Sequence, residues 1–367
     1  MDHFPWPNSM IELRLPVSAE HDTPFVVRLG YHEPVSGKDV ATLVAELADK
    51  VVYEFDERVF EVTGLPACEL AGDVVYIEPA RGILSRWLRR GSRHNTLLVT
   101  ERCDQLCIMC SQPPKKSHVD QFAEIARACS LAEPNVVIGI TGGEPTLYKR
   151  ELFDLLGAMQ VTRPDLSFHV LTNGQHFDEA DVPILQRLRS VCWGIPLYSA
   201  EPALHDAIVA KKGAFDRLHR SFSILMRAGA DVELRTVLLR SNADHLPALA
   251  RHVAACLPFI SVWAIMQLEH IGFARNRWDE LYYEHAERFD PISAALDLCS
   301  LKGIPAALYN FPRCTVPQPY RPFAAASISD WKRKFMPACE PCGERAQCSG
   351  YFEWHPAEAA NERVSPL

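Results

Sequence analysis

From residue 95 onward, short apolar runs alternate with segments whose apolar residues recur every three or four positions. NTLLVT (95–100) reads as a strand, residues 119–132 as an amphipathic helix, and VVIGI (136–140) as the next strand. The pattern repeats with a helix at 147–159, strand SFHVLT, a helix near 180–189 and strand VCWGIPLY. Helix FDRLHRSFSILMRAG, strand VELRTVLL, helix HLPALARHVAACL, strand ISVWAIMQL and a last helix near 290–302 complete it. Six strand–helix steps predict a parallel sheet with helices outside it. In such architectures sites gather at the carboxyl ends of the strands.

The flanks read differently. Residues 1–94 carry Val/Ile-rich runs such as GDVVYIE (72–78) and predict a small β-rich domain, with one helix at DVATLVAELAD. Residues 304–367 are rich in Pro and Cys and poor in periodicity. Such a segment needs a metal or disulfides to be ordered. The expected division is a β-rich domain over 1–94, an α/β core over 95–290 and a Cys-rich extension over 291–367.

At 367 residues, 48% of them hydrophobic, the chain is long enough for one large core with small appended units. No apolar run reaches the ~18 residues of a membrane span. The opening MDHFPWPNSM lacks the basic-then-apolar pattern of a signal peptide, so the expected location is cytoplasmic, with no membrane partner. A net charge of −8 argues against non-specific nucleic-acid binding, which needs broad positive charge. The stretch with Arg81, Arg86, Arg89, Arg90 and Arg93 is a local exception, read either as a solvated face leading into a strand or as a docking site for an acidic partner.

The 12 cysteines shift attention to metal or redox chemistry, because a reducing cytosol disfavours disulfides. Cys68, Cys129, Cys192, Cys256 and Cys299 are scattered and read as small buried apolar side chains. TERCDQLCIMCSQPP, after the first barrel strand, spaces Cys103, Cys107 and Cys110 as C-x3-C-x2-C. Three thiolates on a tight loop suit three irons of a cubane and leave the fourth iron open. An open iron of this kind can chelate the amino and carboxylate groups of S-adenosylmethionine (SAM). A zinc site with a distant fourth ligand such as His118 is the competing reading. At the end of the second strand stands ITGGEPTL, with Gly142, Gly143 and Glu144. Glycines admit close backbone approach and a carboxylate can face an ammonium. The two motifs together are far more specific than either alone.

Over about residues 95–275 the sequence resembles the radical SAM superfamily, whose core is a partial (β/α)6 TIM-like barrel. The resemblance implies Cys103, Cys107 and Cys110 as ligands of a SAM-bound [4Fe–4S] cluster, Met109 near adenine, and Gly142, Gly143 and Glu144 at the SAM amino group. It implies Asn173 and Ser199 at the ribose or carboxylate, Arg235 at the carboxylate, and Gln267 or Glu269 near adenine or substrate. Structural hydrogen bonding is the alternative for Arg235, Gln267 and Glu269. A catalytic acid or base stays unassigned: Tyr198, Glu201 and Glu269 lie at strand ends, but residue type and position give no role.

CEPCGERAQCSGYFEW spaces Cys339, Cys342 and Cys348 as C-x2-C-x5-C, resembling the SPASM and twitch extensions with auxiliary clusters. The further cysteine of a full SPASM motif is missing, which implies one auxiliary [4Fe–4S] cluster, with Cys314 as fourth ligand and Cys299 as runner-up. Structural zinc is the alternative. The order of TERCDQLCIMCSQPP, GGEPTL, QLEHIGFARN and SISDWK is similar to HxsC, the radical SAM maturases of the His-Xaa-Ser peptide system. That resemblance implies modification of a ribosomally made peptide with His-Xaa-Ser repeats, a flavodoxin- or ferredoxin-type reductant and a companion maturase. A radical SAM enzyme acting on a nucleoside, tRNA or small metabolite is the alternative, and a zinc-stapled binding module without catalysis a third. The N-terminal unit either grips a leader peptide by strand addition or caps the barrel.

Overall fold

The computed structural model describes residues 11–31, 39–356 and 364–367. The opening segment read for a signal peptide lies outside the described residues. Strands β1 (Arg14–Ala19), β2 (Phe25–Leu29), β3 (Val40–Glu46), β4 (Lys50–Phe55), β5 (Arg58–Thr63), β6 (Val74–Glu78) and β7 (Ile83–Leu88) close into a barrel in the order β1-β5-β4-β3-β2-β6-β7. The single turn α1 (Ala67–Leu70) sits between β5 and β6. Val27, Tyr53, Phe60, Val62 and Ile77 fill the barrel. DVATLVAELAD, expected to be helical, forms β3, paired antiparallel with β4 from Thr42↔Glu54 to Glu46↔Val51. A helix this short is marginal alone, whereas a neighbouring strand satisfies each backbone group. Closure also removes the edges that strand addition requires. Among the described residues the weakest seam is β2–β3, paired only at Arg28↔Val40 and Leu29↔Ala41.

The second unit is a seven-stranded parallel sheet. Its strands are β8 (Thr96–Thr100), β9 (Val137–Gly142), β10 (Ser167–Leu171), β11 (Val191–Pro196), β12 (Asp231–Val237), β13 (Val262–Met266) and β14 (Ala306–Tyr309), neighbours in chain order. The helices are α2 (Phe122–Leu131), α3 (Lys149–Thr162), α4 (Val182–Leu185), α5 (Pro202–Val209), α6 (Ala214–Ala228), α7 (Leu246–Cys256), α8 (Trp278–Leu281) and α9 (Asp290–Lys302). Two elements depart from the six-step expectation. Strand β14, AALY, extends the sheet into a segment read as aperiodic, because four residues are too few for a period-two signal. Helix α5 begins with Pro202 in its first turn, a residue that favours a helix start but breaks apolar periodicity.

Consecutive parallel strands joined by right-handed crossovers place the helices on one face of the sheet. On that face Ile138, Val170, Trp193, Leu234 and Ile265 join the helices in one core. The alternate residues, among them His169, Glu233 and Arg235, point to the concave side. There Glu233 pairs with Arg235 and accepts from the Tyr309 hydroxyl (3.4 Å), with His169 Nε2 at 3.5 Å.

The two units share a core: Val26, Val74, Tyr76 and Leu88 of the small barrel pack with the α/β helices. Part of the arginine-rich stretch is consumed by this architecture. Buried Arg86 pairs with Asp73 at 2.6 Å and donates to the carbonyls of Glu12 and Glu69. Arg81 pairs with Glu78, Arg89 with Asp330 and Arg90 with Glu133. Arg86 and Arg89 are thus built into the structure, while Arg81, Arg90 and Arg93 stay on a solvated face. SISDWK becomes a strap: Asp330 reaches Arg89 of the first unit and Lys332 reaches Glu269 beyond β13 at 3.6 Å. Strands β15 (Arg333–Lys334) and β16 (Tyr351–Phe352) then pair as a short antiparallel ladder. Among the described residues no helix is long and apolar enough to cross a membrane.

Trp263 tests the core. It is fully buried on β13 and its indole N–H donates to Thr236 Oγ1 at 2.9 Å. Trp263→Ala is expected to cost about 3–5 kcal/mol in urea unfolding.

Candidate active site at the barrel mouth

The loop after β8 carries Cys103, Cys107 and Cys110, all half-buried and unbridged. It is pinned at several points. The N–H groups of Leu106 and Ile108 donate to the carbonyls of Val209 and Ile208 at the end of α5. Gly143 N–H donates to Thr100 O (2.8 Å), and Glu144 N–H to Arg102 O (2.7 Å). A Cβ on Gly142 would lie 2.4 Å from Thr100 O, and one on Gly143 would lie 2.2 Å from Arg102 O. Both glycines are therefore required by the close approach of the cysteine loop itself. Gly272, at φ +60°, abuts Cys110 O in the same way, and Phe273 N–H donates to that carbonyl at 2.9 Å.

Asp104, between the first two cysteines, is the hub of the loop. It accepts from Asn173 Nδ2 (2.7 Å), His176 Nε2 (3.1 Å) and Lys211 Nζ. Burial alone would raise its pKa, but the hydrogen bonds from His176, Lys211 and Asn173 outweigh it and hold the carboxyl well below the usual carboxylate range. Nothing in the C-x3-C-x2-C spacing marked Asp104 or Lys211; an acid inside a cysteine loop was the available signal.

The other expected residues fall into two groups. Asn173 reaches the loop through Asp104 and Tyr198 through Met109, whereas Arg235 is paired with Glu233. Burial pushes the Tyr198 phenol well up, and Cys107 and Cys110 add to it while Arg235 opposes. Met109 is buried against Tyr198, Ile208 and Leu268. Glu144 is sealed inside, its carboxylate accepting from Thr146 N–H, Thr146 Oγ1, Thr172 Oγ1 and Asn173 N–H. Burial raises its pKa against those bonds. Ser199 is buried and accepts from Glu201 N–H at 2.9 Å, ahead of α5. Gln267 lies further round, donating to His285 Nδ1 at 2.7 Å. Glu269 is covered by the strap, where burial raises its pKa against the Lys332 ammonium.

The C-terminal cysteines come together. Cys314, Cys339, Cys342 and Cys348 line one partly open pocket, with Val364–Leu367 along one side. Cys348 Sγ accepts from the N–H groups of Arg313 (3.3 Å) and Gly350 (3.4 Å), and Cys342 Sγ from Leu367 N–H (3.5 Å). Cys299 is instead fully buried in the main core.

The donor sets bear on what they hold. Burial pushes the Cys103 thiol up to about 11 and Cys107 up to about 12, and the neighbouring Cys110 and Cys103 push Cys107 the same way. Desolvated thiolates that repel one another are stabilised by cationic iron. A single zinc at ~2.3 Å from each sulfur would draw thiolates to roughly 3.8 Å apart. Among the described residues no three Cys, His, Asp or Glu side chains converge tightly enough for one ion. His118, the distant ligand of the zinc reading, bonds Thr100 Oγ1 (3.1 Å) and stacks on Tyr148. The structure thus brings three half-buried thiols onto one loop and four thiols around one pocket.

Residues 97–253 match the family model of the Radical SAM superfamily. They form a radical SAM domain. No curated protein matches the chain. Among solved structures, the chain is similar to SuiB of Streptococcus suis bound to S-adenosylmethionine, at 15% identity and a TM-score of 0.48, covering 58% of this chain and 49% of that one. The chain thus spans about half the length of SuiB. It is also similar to anSMEcpe with bound AdoMet and Cp18Cys peptide (16% identity, TM-score 0.43, 58% and 62% covered). A radical SAM methyltransferase from Sphaerobacter thermophilus matches at 15% identity and a TM-score of 0.44, covering 74% and 77%. The radical SAM family implies SAM and a SAM-binding [4Fe–4S] cluster.

Asp104→Ala removes the acceptor shared by Asn173, His176 and Lys211. The protein should keep its far-ultraviolet dichroism, yet incorporate several-fold less iron and sulfide on anaerobic reconstitution. Its cysteine loop should also be cut faster by protease than in the wild type.

Proposed function

We propose that this radical SAM protein modifies a ribosomally made peptide of the His-Xaa-Ser type. The observation that carries the chemistry is the pinned loop of three thiols at the carboxyl end of β8. Cys103, Cys107 and Cys110 would hold the SAM-binding cluster. Bound there, a [4Fe–4S] cluster supplies the electron that splits SAM into methionine and a 5′-deoxyadenosyl radical, which abstracts hydrogen from the substrate. The chain's own contribution is positional. Asp104 and the Gly142–Gly143 turn fix the loop, Met109 and Tyr198 pack its inner side, and Arg235 offers a guanidinium suited to a carboxylate. A flavodoxin- or ferredoxin-type protein would deliver the electron.

The peptide assignment is supported by the sequence resemblance to HxsC and by the C-terminal cysteine site. We assign Cys314, Cys339, Cys342 and Cys348 to one auxiliary [4Fe–4S] cluster. Four thiolates would ligate such a cluster fully, and bound there it would supply electron-transfer rather than SAM-binding chemistry. The nucleoside or tRNA alternative drew on the arginine stretch, where Arg86 and Arg89 are tied up by Asp73 and Asp330, and the net charge of −8 weighs against a large nucleic acid.

Two measurements test this reading. Reconstituted enzyme should form 5′-deoxyadenosine and change the mass of a His-Xaa-Ser peptide, and Cys103→Ala, Cys107→Ala or Cys110→Ala should abolish both. SAM cleavage without any mass change on the peptide would overturn the peptide assignment. For the second site, iron should fall from about eight to about four per chain in Cys314→Ser and stay at about eight in Cys299→Ser. Zinc in place of the missing iron in the wild type would overturn the auxiliary cluster.

A further inference from the structure

Residues Val364–Leu367 run along the second thiol pocket, and their backbone bonds its sulfurs. Leu367 grips the Cys342–Gly343 turn at two points. Its N–H donates to Cys342 Sγ (3.5 Å), and its carbonyl accepts from Gly343 N–H (2.8 Å). The Ser365 backbone hydrogen-bonds the Cys314 thiol. Val364 packs on the small apolar cluster of Met336 and Tyr351, as Cys339 does. Burial does not hold this segment in place, because Ser365 and Pro366 are exposed to solvent. Its bonds to the cysteine turns do.

Cys348 takes its donors from elsewhere, the N–H groups of Arg313 and Gly350. Three of the four sulfurs in the pocket therefore accept from backbone amides, and two of the three depend on residues 364–367. An N–H donated to a thiolate sulfur stabilises its negative charge. On a thiolate-bound cluster the reduced state carries one more negative charge than the oxidised state. Hydrogen bonds to the sulfurs therefore favour reduction and raise the potential.

We propose that Val364–Leu367 is a positioning segment for the second site, whose backbone N–H groups stabilise charge on the sulfurs of Cys314 and Cys342 and raise the reduction potential of a cluster held there. The segment carries no cysteine, histidine or carboxylate side chain, so it acts through the cysteines and not as a ligand. The proposal rests on the auxiliary-cluster reading of these four cysteines.

The test uses full-length protein carrying Cys103→Ala, Cys107→Ala and Cys110→Ala, so that only the second site takes up iron on anaerobic reconstitution. The potential is read by electron paramagnetic resonance during a redox titration. Leu367→Pro and Ser365→Pro each delete one N–H donor, and Leu367→Pro keeps the carbonyl that Gly343 uses. Each is expected to make reduction about tenfold less favourable, ~59 mV lower for one electron, with about four irons per chain retained. Leu367→Ala and Ser365→Ala keep the N–H groups and should leave the potential unchanged. An unchanged potential in both proline variants, or an equal fall in the alanine variants, overturns the proposal and leaves the cluster reading standing. Where the proline variants take up less iron, loss of bound metal to a chelator is timed instead. Loss several-fold faster from the proline than from the alanine variants supports the N–H role, and equal rates overturn it. Zinc at the site sinks the cluster reading, and the chelator comparison alone then decides on the N–H bonds.

Discussion

The carboxylate of Asp104 holds the cysteine loop after β8 to the rest of the α/β unit. It lies between Cys103 and Cys107 and gathers Asn173 and His176 from beyond β10 and Lys211 from beyond α5. The bonds are charge-assisted and half-buried, so they outweigh the cost of desolvating the carboxylate. The Gly142–Gly143 turn supplies the opposing clamp, where a single added Cβ would strike the loop backbone. Burial raises the pKa of all three thiols, so they rest protonated on a loop that is fixed from both sides.

The remainder of the structure extends this arrangement toward a second thiol site. Strand β14 continues the parallel sheet and delivers Cys314 just beyond its carboxyl end. The SISDWK strap ties that region to both other parts, through Arg89 and through Glu269. Its ionic contacts are partly exposed and modest singly. Their effect is geometric: they fix the side of the barrel mouth on which the C-terminal cysteines sit.

The alternating apolar pattern reported β8 to β13 and most of the helices because each buries one face in the common core. It failed where length or context mattered more. Residues 39–49 have helical composition, but β3 is one stave of a closed barrel and pairing overrides propensity. AALY is too short to show a period, and it is a strand because β13 offers it an edge. Of the five arginines between 81 and 93, the sequence could not mark Arg86 and Arg89 as structural, because their partners Asp73 and Asp330 are distant in the chain.

The sequence alone determined the chemistry of the candidate site. The spacing of Cys103, Cys107 and Cys110 and the glycine–glutamate turn are local patterns, set by what a short loop and a tight approach permit. Tertiary structure decided which distant groups serve that chemistry. It chose Cys314 over Cys299 to line the second pocket, buried Glu144 among Thr146, Thr172 and Asn173, and laid Val364–Leu367 along the pocket's sulfurs. These choices depend on contacts between residues tens to hundreds of positions apart, and only packing brings such residues within reach of each other.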